Sequence, residues 1–251
     1  TGLPEVMVMR ELPKPRPTFI LSRGAYDAPT TQVTPGTPHV LGDMPASLPQ
    51  NRLGLARWLI APTHPLTARV IVNRYWAMIF GRGIVATPAD FGNQGKLPTH
   101  PALLDWLATT FVESGWNLKA LQKQMVMSAA YRQSSVGDAK SLEADPANDL
   151  LSRGPSYRLA AEQIRDAALA ASGLLVRTIG GPSVYPYQPP GLWEALATRN
   201  ATKYEQGHGD ALYRRSLYTV WKRSSPPPAA INFDAAERLF CTVNRQRTNT
   251  P

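Results

Sequence analysis

Residues 91–135 read FGNQGKLPTHPALLDWLATTFVESGWNLKALQKQMVMSAAYRQSS, and they alternate turn signals with two clean helical repeats. Thr99 or His100 can cap the first repeat, and Pro101 suits a first turn whose N–H groups have no intrahelical partner. Leu103, Leu107 and Phe111 then recur at helical spacing until Gly115 stops the run. Asn117 can cap a second helix, whose stripe is Leu118, Leu121, Met125 and Ser128 or Ala129. The linker of Gly115 and Trp116 is short enough to force an antiparallel helical hairpin, with the Trp116 ring plugging the junction.

The same periodicity extends outward from this hairpin. Upstream, Leu53, Ala56, Trp58, Leu59 and Ile60 predict a short helix that Pro62 stops. A longer one is predicted from about Pro65 to Phe80, with Ile71, Tyr75, Met78 and Ile79 on its apolar face and Gly81 as its stop. Residues 1–50 carry proline too often for a long helix, and the stretch from Thr18 to Ser22 reads as a short strand. Downstream, a helix is predicted from Leu159 to Leu175 with Ile164, Ala168, Ala171 and Leu175 facing inward. A strand is predicted at Ser216 to Trp221, and FDAAERLFCTV begins a short helix. Alternating βαβ units are missing, so a doubly wound sheet is not expected. The expected fold is mainly α with minor short β elements: a Pro-rich extended N-terminal segment, 1–50, packed on a single, irregular, mainly helical domain, 51–251.

A chain of 251 residues with 43% hydrophobic residues can bury a substantial core. Its 24 prolines, about twice the usual share, imply many stiff extended connections. The formal net charge of +9 favours acidic glycans, anionic lipid head groups, nucleic acid or an acidic protein as surroundings, although Arg and Lys are dispersed without a dense run. Cys241 is the single cysteine, which excludes an internal disulfide and a paired-cysteine metal or haem attachment site. His39, His64, His100 and His208 are scattered with no i, i+4 pair, so no metal site is expected. No phosphate loop, dinucleotide fingerprint, nucleophile elbow or nucleic-acid module is present, and no apolar run approaches the roughly 18 residues of a membrane span. The chain opens at Thr1 and stops within a basic segment, and it reads as a piece of a longer polypeptide.

Two places can carry chemistry. Glu162, Arg165 and Asp166 share about one helical turn. A carboxylate pair flanking an arginine can do acid and base work or hold a ligand, whereas the commoner arrangement is an ion pair that locks a neighbouring loop. The loop GGPSVYPYQPPGLWEAL holds Tyr185, Tyr187 and Trp193 on rigid proline segments, where they can stack on a sugar ring or cover the core, and Glu194 follows at a helix start. Asp90 and His100 complete the set of candidate acid–base groups, together with Glu162, Asp166 and Glu194; Arg165, Tyr185, Tyr187 and Trp193 are the candidate ligand contacts.

The blocks NRYWAMIFGRGIVATPADFGNQGKLPTHPALLDWLATTFVESGWNLKALQKQMVMSAAYRQSS, RLAAEQIRDAALAASGLL, GGPSVYPYQPPGLWE, YRRSLYTVWKRSSPPP and CTVNRQRTNTP, in this order, resemble the planctomycete-type domain of unknown function 1553. The resemblance implies the C-terminal part of a large exported protein, periplasmic or at the cell surface, that often begins with a cytochrome c domain and an associated second domain. Haem c would then sit in a separate domain, with no cofactor in this chain, and the partners would be the other domains of the same polypeptide. It implies a further helical segment after NRQRTNTP, and it carries no reaction with it. Two functions of different class remain: a docking or binding scaffold, for the cytochrome c domain or an anionic glycan, and an exported enzyme acting on an anionic polysaccharide by carboxylate chemistry, redox coupling being a variant of either.

Overall fold

The computed structural model describes residues 5–195, 203–222, 224–236, 242–245 and 248. Their contacts divide the chain into two units, Thr1–Thr87 with Phe91–Arg153 and Pro88–Asp90 with Gly154–Pro251. Helices are the main regular elements of both, and the one sheet among the described residues has two strands, as a mainly α fold with minor β elements requires.

The first unit opens with an antiparallel ribbon of β1 (Thr18–Leu21) and β2 (Pro29–Val33), with Thr18 opposite Val33. Every residue of both strands is exposed. Six helices follow: α1 (Arg52–Leu59), α2 (Thr67–Phe80), α3 (Pro101–Glu113), α4 (Leu118–Met127), α5 (Ala129–Arg132) and α6 (Ala139–Ala144). Asn51 caps α1 by accepting the Gly54 N–H at 3.1 Å, and Asn117 caps α4 by accepting that of Ala120 at 3.1 Å. At α3 neither expected cap acts: His100 holds the cap position without a side-chain bond to the helix. Pro101 alone starts it, through its fixed φ.

The helical hairpin forms as its spacing requires. Gly115 (φ 69°) and Trp116 (φ 61°) both turn left-handed, and the Trp116 N–H closes on the Phe111 carbonyl at 3.0 Å. A left-handed tryptophan is strained. Its indole offsets that strain by packing edge-on against Phe111, with centroids 5.2 Å apart.

Leu104, Leu107, Ala108 and Phe111 of α3 and Leu121 and Met125 of α4 are buried, while Leu103 is half-buried and Leu118 is exposed. On α2 the inward face is rotated from the expected one. Ala68, Val72, Asn73, Trp76 and Phe80 are buried; Ile71, Tyr75 and Ile79 pack around that core, and Met78 is 64% exposed. Trp76 and Phe80 stack with centroids 3.9 Å apart, and this apolar aromatic pair buries its rings without having to satisfy a hydroxyl such as that of Tyr75.

The rotation also buries an amide. Asn73 is fully buried, its Nδ2 donating to the Val85 carbonyl at 3.0 Å and its Oδ1 accepting the Val85 N–H at 2.8 Å. The chain leaves α2 through Gly81 (φ 85°) and passes Gly83, where a Cβ would lie 2.6 Å from the Val85 carbonyl oxygen. Ile84 and Val85 thereby enter the core, and the Ile84 carbonyl accepts the Thr99 N–H at 2.9 Å just before α3 begins.

Replacing Asn73 with Ala strands both polar groups of Val85 in the core. The loss in urea denaturation should be roughly 2 to 6 kcal/mol, at 1 to 3 for each buried unsatisfied group. Asn73→Asp keeps the acceptor and loses the donor, and it too should destabilise the unit.

Candidate functional site

The second unit is built on α7 (Ala161–Ala171), followed by α8 (Leu192–Ala195) and α9 (Pro228–Ile231). At its start, Gln163 reaches back to accept the Ala160 N–H at 3.1 Å. The inward face differs from the expected one. Ala168 and Ala171 are exposed, whereas Glu162, Ile164, Arg165, Asp166 and Leu169 are half-buried and Ala161 is buried. Alanine methyls bury little area, so groups that find bonds on the neighbouring chain decide which way the helix turns.

Arg165 donates to the Arg214 carbonyl at 2.9 Å, the Leu212 carbonyl at 2.8 Å and the Ser216 hydroxyl at 3.2 Å. Burial lowers its pKa, and the neighbouring Asp166 and Tyr204 act the other way. Asp166 accepts the Ser216 N–H at 2.8 Å and lies 3.8 Å from Arg165. Burial would raise the Glu162 pKa, but Arg245, whose Nη1 reaches its two oxygens at 2.9 and 2.8 Å, holds the carboxyl below the ordinary value.

These bonds explain why residues 216–221 are not the expected strand. Ser216–Tyr218 form a 3₁₀ turn, fixed where Asp166 takes the Ser216 N–H. An isolated parallel bridge remains between Val184 and Thr219, with the Val184 N–H on the Tyr218 carbonyl at 2.8 Å.

Arg214, which the sequence reading passed over, is buried. Its guanidinium donates to the carbonyls of Pro182 at 3.0 Å, Thr178 at 3.2 Å and Gly180, and lies 3.8 Å from the centroid of the Tyr218 ring. The Tyr218 hydroxyl accepts the Gly180 N–H at 2.8 Å. One arginine and one tyrosine thus fix the start of the proline-rich loop. Asp234 was passed over too. It sits at φ 55°, which aspartate tolerates, and its carboxylate accepts from Arg158 and from the Thr248 N–H at 2.7 Å. The Thr248 N–H, then Arg158, hold its pKa below the ordinary value.

The loop aromatics divide. Trp193 is buried, in edge contact with Tyr204 (5.1 Å) and Tyr185 (6.2 Å), and Lys222 Nζ lies 4.6 Å from its ring centroid. Tyr185 is half-buried, and Tyr204 donates its hydroxyl to the Pro186 carbonyl. Tyr187 is 73% exposed. Glu194 is half-buried, and its Oε2 is buried with no hydrogen-bond partner; Gln188 Nε2 and Thr219 Oγ1 are in the same condition. Asp90 is half-buried in this unit. His100 belongs to the first unit, where its Nδ1 lies 3.0 Å from the Thr99 hydroxyl. Cys241 and residues 237–240 of the helix expected from Phe233 onward lie outside the described residues, and residues 233–236 do not begin a helix: α9 ends at Ile231 and Asp234 turns left-handed. Among the described residues no three His, Cys, Asp or Glu side chains group as metal ligands would, and no helix is long and apolar enough to cross a membrane.

The loop's two faces make different predictions. Trp193→Ala should cost roughly 3 to 5 kcal/mol of stability in chemical denaturation, as truncation of a buried tryptophan does. Tyr187→Ala should stay within about 0.5 kcal/mol of the parent.

No curated protein and no solved structure matches the chain. A family model does: PSD1, described as a protein of unknown function (DUF1553), matches residues 51–251. That match takes in both helices of the hairpin, α7 with its charged face and the proline-rich loop, and the chain belongs to this family.

Proposed function

We propose that this chain is a docking scaffold of an exported, multidomain, cytochrome c-associated protein, and that its partner is the cytochrome c domain of the same polypeptide. The observation that carries the reading is the bonding of the charged face of α7. Glu162, Arg165 and Asp166 are each engaged by groups of their own chain, and Arg165 and Asp166 bind its backbone directly. Groups held this way serve to position loops. The charge available to a partner is the basic excess, with Arg10, Lys14, Arg16, Lys119, Lys123 and Arg177 all exposed. A basic excess of this kind draws an acidic partner by long-range attraction. The export and cytochrome parts of the proposal rest on the resemblance of the quoted blocks.

A second reading has its own observation. The buried, unpartnered Oε2 of Glu194 beside Trp193 is a group whose bond is unexplained by the fold. In an exported enzyme acting on anionic polysaccharide, Glu194 would be the acid or base, and Asp90, Asp166 and Glu162 would have supporting places.

Titration calorimetry of this chain with the separately produced cytochrome c domain tests the first reading. Binding should weaken by about tenfold or more between 50 and 500 mM salt, because the Debye length shortens severalfold. No binding at the lower salt would overturn it. Release of reducing ends from an acidic polysaccharide, abolished by Glu194→Gln, would establish the second reading instead.

A further inference from the structure

His64 lies between α1 and α2. Its Nδ1 faces three donors at the start of α2: the Thr67 N–H at 3.1 Å, the Leu66 N–H at 3.3 Å and the Thr67 hydroxyl at 3.0 Å. The first N–H groups of a helix have no intrahelical acceptor, and Leu66, at the cap position, supplies no side-chain bond. The imidazole therefore serves as the cap of α2. Nδ1 must be the unprotonated nitrogen for this, which places the proton of the neutral ring on Nε2. Nε2 is buried without a hydrogen-bond partner, and the ring stands edge-on to Trp58 with centroids 4.5 Å apart and an interplanar angle of 86°.

A second proton would have to go to Nδ1. There it would face two amide hydrogens and the positive end of the α2 dipole. The charged side chains on the packed elements do not relieve this. Arg57 and Arg69 carry like charge, and the Arg69 guanidinium is held by the Pro65 carbonyl at 2.6 Å and by Asp105 of α3 at 2.6 Å. We propose that His64 is a proton-released latch: neutral, it caps α2, and on protonation it lets go of the helix's first turn.

Burial holds the His64 pKa below 6.5 in the folded chain. The folded state therefore favours the neutral ring. The stability that this cap contributes is complete above pH 6.5 and is lost as pH falls through the folded pKa. The released segment would be the first turn of α2, ahead of Val72 and Asn73, which stay anchored in the core.

Hydrogen exchange at Leu66 and Thr67, expressed as protection factors at pH 7.5 and at pH 5, tests the latch. Protection should fall by about fivefold or more at the lower pH, the scale of losing one cap. In His64→Asn, which accepts through Oδ1 and does not titrate, protection should be equal at both values. Protection in the parent that changes by less than twofold would overturn the proposal, as would an imidazole pKa, followed by NMR in the parent, at or above 6.5. The second measurement decides the matter even if the variant does not fold.

Discussion

The first unit depends on the amide of Asn73. A primary amide can replace both halves of a backbone hydrogen-bond pair, and Asn73 does so for Val85. Without it, a non-helical strand of chain could not lie against the middle of α2, since its N–H and C=O would lose water and gain nothing. With it, Ile84 and Val85 become core residues, and Gly83 is required because a side chain there would strike the Val85 carbonyl and the amide itself. The chain that follows then returns through the Ile84–Thr99 bond to begin α3, whose Leu104, Leu107 and Phe111 complete the core.

The second unit solves the same difficulty with charge. It is poor in regular elements, so many carbonyls of residues 178–182 and 212–214 lack secondary-structure partners. Arg214 gathers three of them and Arg165 two more. A guanidinium suits this, with five donors in a fixed plane and weak hydration compared with an ammonium. Burying either arginine without such acceptors would be costly.

Helix positions were legible in the sequence wherever side-chain size and capping agreed. The α3–α4 hairpin follows from Pro101, Gly115 and Asn117 with regularly spaced large apolar residues, and nothing competes with that pattern. Helix faces were less legible. On α2, Trp76 and Phe80 outcompeted Ile71, Tyr75 and Met78, although both sets have helical spacing. On α7 the alanine stripe lost to a charged face whose acceptors, at residues 212 to 216, are far away in sequence. The expected strand from Ser216 failed for the same reason, because Asp166 takes the N–H that a ladder would need. Arg214 and Asp234 were passed over because their roles lie in carbonyls and donors that no local motif announces. Of the candidate site, its charged cluster and its loop could be located, while the orientation of each ring could not.

Proximity of titratable groups on a helix is thus a weak pointer to chemistry in this chain. Glu162, Arg165 and Asp166 form the densest such group, and each has a structural partner that accounts for its placement. A more discriminating sign is a buried polar atom whose burial the fold does not explain. In the second unit the oxygen of Glu194 and the amide nitrogen of Gln188 have that character, one an acceptor and one a donor, both within or next to a loop held rigid by Arg214 and proline. Such an atom in a native structure calls for a partner, which ordered water or a ligand can supply. Any ligand chemistry in this unit should therefore be sought at Glu194 and Gln188 before the more conspicuous face of α7.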